Sequence, residues 1–146
     1  MTREIKFRVW DKINNCFFDW KEQYNTLEFN EGIPDRIILY DTEGVLEKDE
    51  FEIMQYTGLK DNNGKEIYEG DIITFTEIDE DSCLGKEDTH TGKVEWIDEI
   101  AQWRFIYPSG QRTELHFIVQ LPTIKSCEVI GNIYENPELL QGLKDI

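Results

Sequence analysis

Apolar residues in this chain come in short runs that alternate with polar ones, and Asp, Asn, Gly and Pro cut those runs at close intervals. That punctuation limits the fold more than any other feature. Alternation with a period of two buries one face of a strand, and turn-forming residues then reverse the chain. Residues 4–10 set the pattern, with Ile5, Phe7 and Val9 alternating against Lys6, Arg8 and Trp10.

The same reading predicts strands over residues 16–20, 26–29, 37–40, 51–57, 72–78, 93–97, 103–107 and 128–134. Gly32 and Pro34 are expected to interrupt the pattern before residue 37. Residues 59–71 hold two turn signals, Asp61-Asn62-Asn63-Gly64 and Glu69-Gly70-Asp71, and read as a compact connection. Residues 79–91 read as a polar, acidic excursion. The stretch 112–119 is ambiguous, because Leu115, Phe117 and Val119 alternate as a strand would while a short helix stays open. Asn136-Pro137-Glu138 has the composition of a helix start, and a short C-terminal helix is expected through Leu143. The expectation is one mainly β, antiparallel domain over residues 1–146.

The formal charge is −16, and its placement is uneven. Residues 1–40 carry six basic and seven acidic side chains, residues 41–100 five and nineteen, and residues 101–146 four and five. The middle segment therefore holds an excess of fourteen negative charges, a field that repels phosphate backbones and favours basic partners or plain solubility. Cys16, Cys83 and Cys127 are far apart and outside any C-x-x-C spacing, which suggests neither a disulfide framework nor a zinc site. The first residues lack an apolar signal-like stretch, and no apolar run approaches the ~20 residues of a membrane span. A cytoplasmic location is expected.

Several residue groups invite a chemical reading. Residues 56–71 concentrate Gly, Asn, Asp and Lys, yet a phosphate loop needs a glycine-rich turn feeding a helix with Lys and Ser or Thr in order. Structural turns are the plainer reading. Asp79, Glu80, Asp81, Glu87 and Asp88 gather carboxylates, but an EF-hand loop from Asp79 would need Gly and Glu where Leu84 and His90 stand. Cys83 lies near His90 in sequence, among acidic neighbours that oppose thiolate formation. Cys16 and Cys127 read as small core residues. Trp10, Trp20, Trp96 and Trp103 could form an aromatic contact surface or fill a core.

Three segments, in order and spread over the whole length, resemble the YopX family. They are Ile5-Lys6-Phe7-Arg8-Val9-Trp10-Asp11, then Gln55-Tyr56-Thr57-Gly58-Leu59-Lys60-Asp61 continuing through Gly64-Lys65-Glu66-Ile67-Tyr68-Glu69-Gly70-Asp71, and Val129-Ile130-Gly131-Asn132-Ile133-Tyr134-Glu135-Asn136-Pro137. The resemblance implies a protein of phages and integrated prophages of low-GC Gram-positive bacteria, with bent, branching sheets and no established biochemical activity. It carries over no catalytic residue. The run from Ile67 to Ile73, followed by Gly92-Lys93-Val94, also resembles part of a small SH3-like barrel, which would describe architecture without naming a ligand.

The expected function is that of a non-enzymatic binding or self-assembling accessory protein, using no cofactor and no metal. Candidate partner-binding residues are Trp10, Asp79, Glu80, Asp81, Glu87 and Asp88. The partner would be a second copy or a host or phage protein, without direct contact to nucleic acid or membrane. Two alternatives are an acidic mimic of nucleic acid that inhibits a host DNA-binding protein, and a metal-dependent enzyme using the central carboxylates. The charge distribution predicts negligible DNA affinity at physiological salt. A mobility-shift titration checks this, and tight, salt-sensitive binding would contradict it.

Overall fold

The structure, a computed structural model, describes residues 4–17, 26–39 and 44–141. Among them run the strands β1 (Phe7–Asp11), β2 (Cys16–Phe17), β3 (Thr26–Asn30), β4 (Ile33–Leu39), β5 (Gly44–Glu47), β6 (Phe51–Lys60), β7 (Glu66–Tyr68), β8 (Asp71–Ile78), β9 (Glu87–Ile97), β10 (Gln102–Ile106), β11 (Arg112–Glu114) and β12 (Ile124–Asn132). One helix, α1 (Leu115–Gln120), follows β11, and 3₁₀ turns occupy Asp98–Ile100 and Pro137–Leu139. The architecture is mainly β, with antiparallel sheets, a curled half-barrel and one short helix. The chain forms two compact units, one of Lys6–Gln55 and one of Met1–Ile5 with Tyr56–Ile146.

In the unit of Lys6–Gln55, β1 pairs with β2 on one side and with the first part of β6 on the other, from Phe7 opposite Gln55 to Asp11 opposite Phe51. The β1–β2 turn is held by Asp11, whose Oδ1 accepts the N–H groups of Ile13 and Asn14 at 2.8 and 3.1 Å. A second sheet runs β3-β4-β5. Its β3–β4 turn has Glu31 and Gly32 both at positive φ, 51° and 81°, the backbone of a two-residue type I′ hairpin. Pro34, expected to break the pattern, lies within β4 opposite Phe29, beside a register shift and near the strand's start, where a missing N–H is tolerated. Val9, Ile37, Leu46 and Phe51 make this unit's core.

The alternation expected of residues 4–10 is only partly kept. Ile5 and Phe7 are exposed, while Val9, Trp10 and Asp11 are all buried, so the end of β1 is covered on both faces. Cys16, expected in a core, is exposed, because the short strand β2 places it beside the turn. Residues 18–20 of the expected second strand and Tyr40 lie outside the described residues.

In the other unit, the later part of β6 pairs with β7, and a five-stranded antiparallel sheet runs β11-β10-β9-β8-β12. Its core is formed by Ile67, Ile73, Phe75, Val94, Phe105, Leu115, Ile118 and Cys127. Gly92 is needed where β9 crosses this core, because a methyl there would strike the Ile106 carbonyl oxygen and the Phe105 ring. The ambiguous segment 112–119 divides into β11 and α1. Leu115 and Ile118 are both buried, and a spacing of three puts them on one helix face, whereas the alternating Phe117 is exposed. Asn136-Pro137 starts a 3₁₀ turn with no side-chain cap; the Asn136 side chain instead lies 3.4 Å from the Asn132 N–H. The expected continuation of that helix to Leu143 passes beyond the described residues.

The connection from Lys60 to Glu66 closes the outer edge of β12. Asn62 exchanges two hydrogen bonds with Cys127, its N–H donating to the Cys127 carbonyl at 3.0 Å and its Oδ1 accepting the Cys127 N–H. Asp61, only 7% exposed, accepts the Val129 N–H on Oδ2 at 3.0 Å, and the Asn63 and Lys65 N–H groups on Oδ1, each at 2.9 Å. One carboxylate thereby shapes the turn and ties it to the sheet. Replacing Asp61 by Ala leaves three backbone donors without their acceptor and is expected to cost about 2–3 kcal/mol. Asp61→Asn should recover only part of this, since its amide group presents a donor on one side. Urea unfolding of the two variants measures both costs.

Candidate functional site

The acidic residues singled out in the sequence converge on the β8–β9 hairpin. Its two strands pair from Ile72 opposite Lys93 to Ile78 opposite Glu87. On one face the hydroxyls of Thr76 and Thr89 lie 3.0 Å apart, and those of Thr91 and Thr74 3.3 Å. Residues 87–91, expected in a loop, therefore continue β9, because β-branched threonines pair across the strands without any apolar alternation to announce them.

The connecting turn is tight. The Asp79 N–H donates to the Lys86 carbonyl at 2.9 Å, the Ser82 N–H to the Asp79 carbonyl at 3.2 Å, and the Gly85 N–H to the Ser82 carbonyl at 3.0 Å. Asp79 Oδ1 also accepts the Asp81 N–H at 3.1 Å. A shallow polar depression of about 400 Å³ opens beside the turn, lined by Glu77, Asp79, Glu80, Asp81 and Asp88 together with Ile78 and Thr123. Four of the five expected acids thus share one surface, and Glu77 joins them. Glu87 turns elsewhere, to Lys125 Nζ at 2.8 Å. The participation of Glu77 and the pairing of Glu87 with a residue 38 positions away have no local signal in the sequence.

Trp10 leaves the candidate surface. It is 4% exposed and packs edge-on against Phe17 at 5.0 Å, so its ring fills the unit of Lys6–Gln55. Trp96 and Trp103 stand directly opposite each other on β9 and β10 with ring centres 5.0 Å apart, Trp96 being 40% exposed. Trp20 lies outside the described residues.

The imidazoles have their own surroundings. His90 packs against Phe75 and Tyr107 at 5.1 and 5.5 Å, with Nε2 3.9 Å from Glu77. His116 Nε2 lies 3.3 Å from Glu114. Among the described residues no three His, Cys, Asp or Glu side chains are grouped so as to hold a metal ion.

The residues of the family-like segments serve the backbone. Besides Asp11 and Asp61, the buried Asp71 accepts the Tyr68 N–H at 2.8 Å. Buried Asn132 accepts the N–H groups of Tyr134 and Glu135 at 3.0 and 2.8 Å. Thr57 donates its hydroxyl to the Ile67 carbonyl at 2.7 Å.

The YopX protein family model matches residues 6–141. The chain belongs to the YopX family. Two solved structures share the fold: protein EF1440 from Enterococcus faecalis, at 24% identity and a TM-score of 0.54, and protein yopX from Bacillus subtilis, at 21% and 0.58. The first likeness covers 96% of this chain and 100% of the other, the second 94% and 98%. A comparison with curated proteins returns no match. No helix among the described residues is long and apolar enough to cross a membrane.

The cysteines differ sharply in reactivity on this geometry. Cys127 is fully buried, and burial, followed by the nearby Asp61 and Glu128 charges, pushes its thiol up to about 12, whereas Cys16 and Cys83 are exposed. Thiolate is the reactive form. Alkylation of the folded protein at mild alkaline pH should therefore label Cys16 and Cys83 and spare Cys127 until unfolding, as peptide mapping would reveal. The folded state keeps this proton above the ordinary thiol value of 9.0, so stability should fall as the pH rises from about 9 towards 12.

Proposed function

We propose that this chain is a non-enzymatic accessory protein of a phage or prophage, acting by binding a macromolecular partner or by assembling with itself. One observation carries the reading. In the segments that bear the family likeness, the buried Asp11, Asp61, Asp71 and Asn132 are all engaged by backbone N–H groups, which supports a structural role for those residues rather than a chemical one. The surface, by contrast, offers features suited to association. Phe29 and Ile33 are 60% and 67% exposed beside the β3–β4 turn, and the acidic hairpin concentrates charge of one sign.

A second reading, an acidic mimic of nucleic acid that occupies a host protein's DNA groove, is favoured by the gathering of Glu77, Asp79, Glu80, Asp81 and Asp88 around one depression. Size-exclusion chromatography with light scattering, followed by capture from a host lysate, tests both. The proposal expects a stable oligomer or a discrete captured protein, and a monomer that captures nothing contradicts it. Displacement of the captured protein by duplex DNA would select the mimic reading.

A further inference from the structure

We propose that the outer edge of β9, between Glu87 and Thr91, is a docking strand for an extended basic segment of a partner protein. This rests on the partner-binding reading above and names the surface and the chemistry of what it binds. Strand β10 accompanies β9 only as far as the pair Ile106–Lys93. Beyond it the Tyr107 N–H faces β11 and donates to the Gln111 carbonyl at 2.9 Å, and the next residue on the β9 side, Pro108, has no N–H to offer. From Glu87 to Gly92, β9 is paired with β8 alone among the described residues.

The direction of the unpaired groups follows from the ladder. The Ile78 N–H donates to Thr123, on the β12 side, and the Asp79 N–H donates to Lys86, on the β9 side. Antiparallel alternation then makes Asp88, His90 and Gly92 the residues that bond to β8. Glu87, Thr89 and Thr91 aim their N–H and C=O groups outward, in line with Lys93, Glu95 and Ile97, which meet β10. Glu87 and Thr89 are exposed and Thr91 is half-buried. Such an edge can accept an added strand through main-chain hydrogen bonds.

Charge chooses the occupant. Glu77, Asp79, Glu80, Asp81, Glu87 and Asp88 lie along this hairpin, and Lys125 is already paired with Glu87. A second copy docking edge to edge would bring the same carboxylates together, and duplex DNA would be repelled. An extended segment bearing Lys or Arg meets complementary charge while it completes the ladder. The same acidic residues thus guard the edge against its own kind and admit a basic strand.

The probe is a fluorescent Lys-Thr-Lys-Val-Lys-Thr-Lys peptide, read by anisotropy against a version with two consecutive central residues N-methylated and a version with Glu in place of Lys. The protein is compared with Thr89→Pro, which removes an outward N–H and leaves the main-chain hydrogen bonds to β8 in place, with loss of the Thr89–Thr76 hydroxyl contact, and with Thr89→Ala, which loses that contact alone and should bind like the native chain. Both the N-methylated peptide on the native chain and the plain peptide on Thr89→Pro should bind roughly tenfold more weakly or worse, the Glu peptide should not bind, and added salt should weaken the native complex. Equal binding of the plain and N-methylated peptides, binding of the Glu peptide, or no binding at all overturns the inference. Should Thr89→Pro fail to fold, the N-methylated peptide on the native chain decides alone. A native oligomer that Thr89→Pro dissociates would assign the edge to self-association and overturn it too. Lysate capture undiminished by Thr89→Pro removes the edge and leaves the partner-binding reading standing, whereas a native monomer that captures nothing removes both.

Discussion

The docking of Asp61 and Asn62 on β12 is the contact on which the larger unit depends. An outermost strand presents unpaired N–H and C=O groups on its free side, a liability for any sheet. Here a turn of the same chain supplies the missing partners, so β12 is bonded on both sides, to β8 and to the 61–65 turn. Further along, the Ile133 N–H reaches the Gly70 carbonyl at 2.9 Å. With β12 held, Cys127 is sealed into the core beside Phe75 and Ile118, and burial then sets the behaviour of its thiol.

The acidic residues of the central segment do two different kinds of work. Asp61 and Asp71 are buried and accept backbone donors, which balances the cost of removing a carboxylate from water. Asp79, Glu80, Asp81 and Asp88 are exposed and set the local field of the β8–β9 hairpin. Net charge alone cannot separate these groups, because a buried, hydrogen-bonded Asp and a solvated one count equally in a sum. Only the exposed set is available to a partner.

The parts of the fold that could be read from sequence are those where short apolar, β-branched or aromatic runs end up buried. Ile72, Ile73 and Phe75 marked β8, Val94 and Ile97 the later half of β9, and Phe105 the middle of β10. What escaped the pattern depended on contacts distant in sequence. Trp10 is covered although its neighbour Val9 faces the core, because the end of β1 is buried on both sides, and alternation presumes a single buried face. The early half of β9 is polar, and its strand state rests on pairing with Thr74 and Thr76. Of the candidate site, the clustering of Asp79, Glu80, Asp81 and Asp88 was legible as a local run of like charge; the diversion of Glu87 to Lys125 was not. Turn chemistry was the most legible feature, since Asp61 and Gly64 act over four residues.

The turn that closes β8 onto β9 completes its own hydrogen bonding within residues 79–86, and Leu84 at its tip is 94% exposed. Nothing in the core register of the sheet relies on how many residues that tip contains. Lengthening a loop that is already closed at its base adds little entropy cost, growing only with the logarithm of its size. The hairpin therefore behaves as a platform whose end can vary in length and composition while the strands beneath it keep their alignment, which separates what this surface recognises from what holds the protein together.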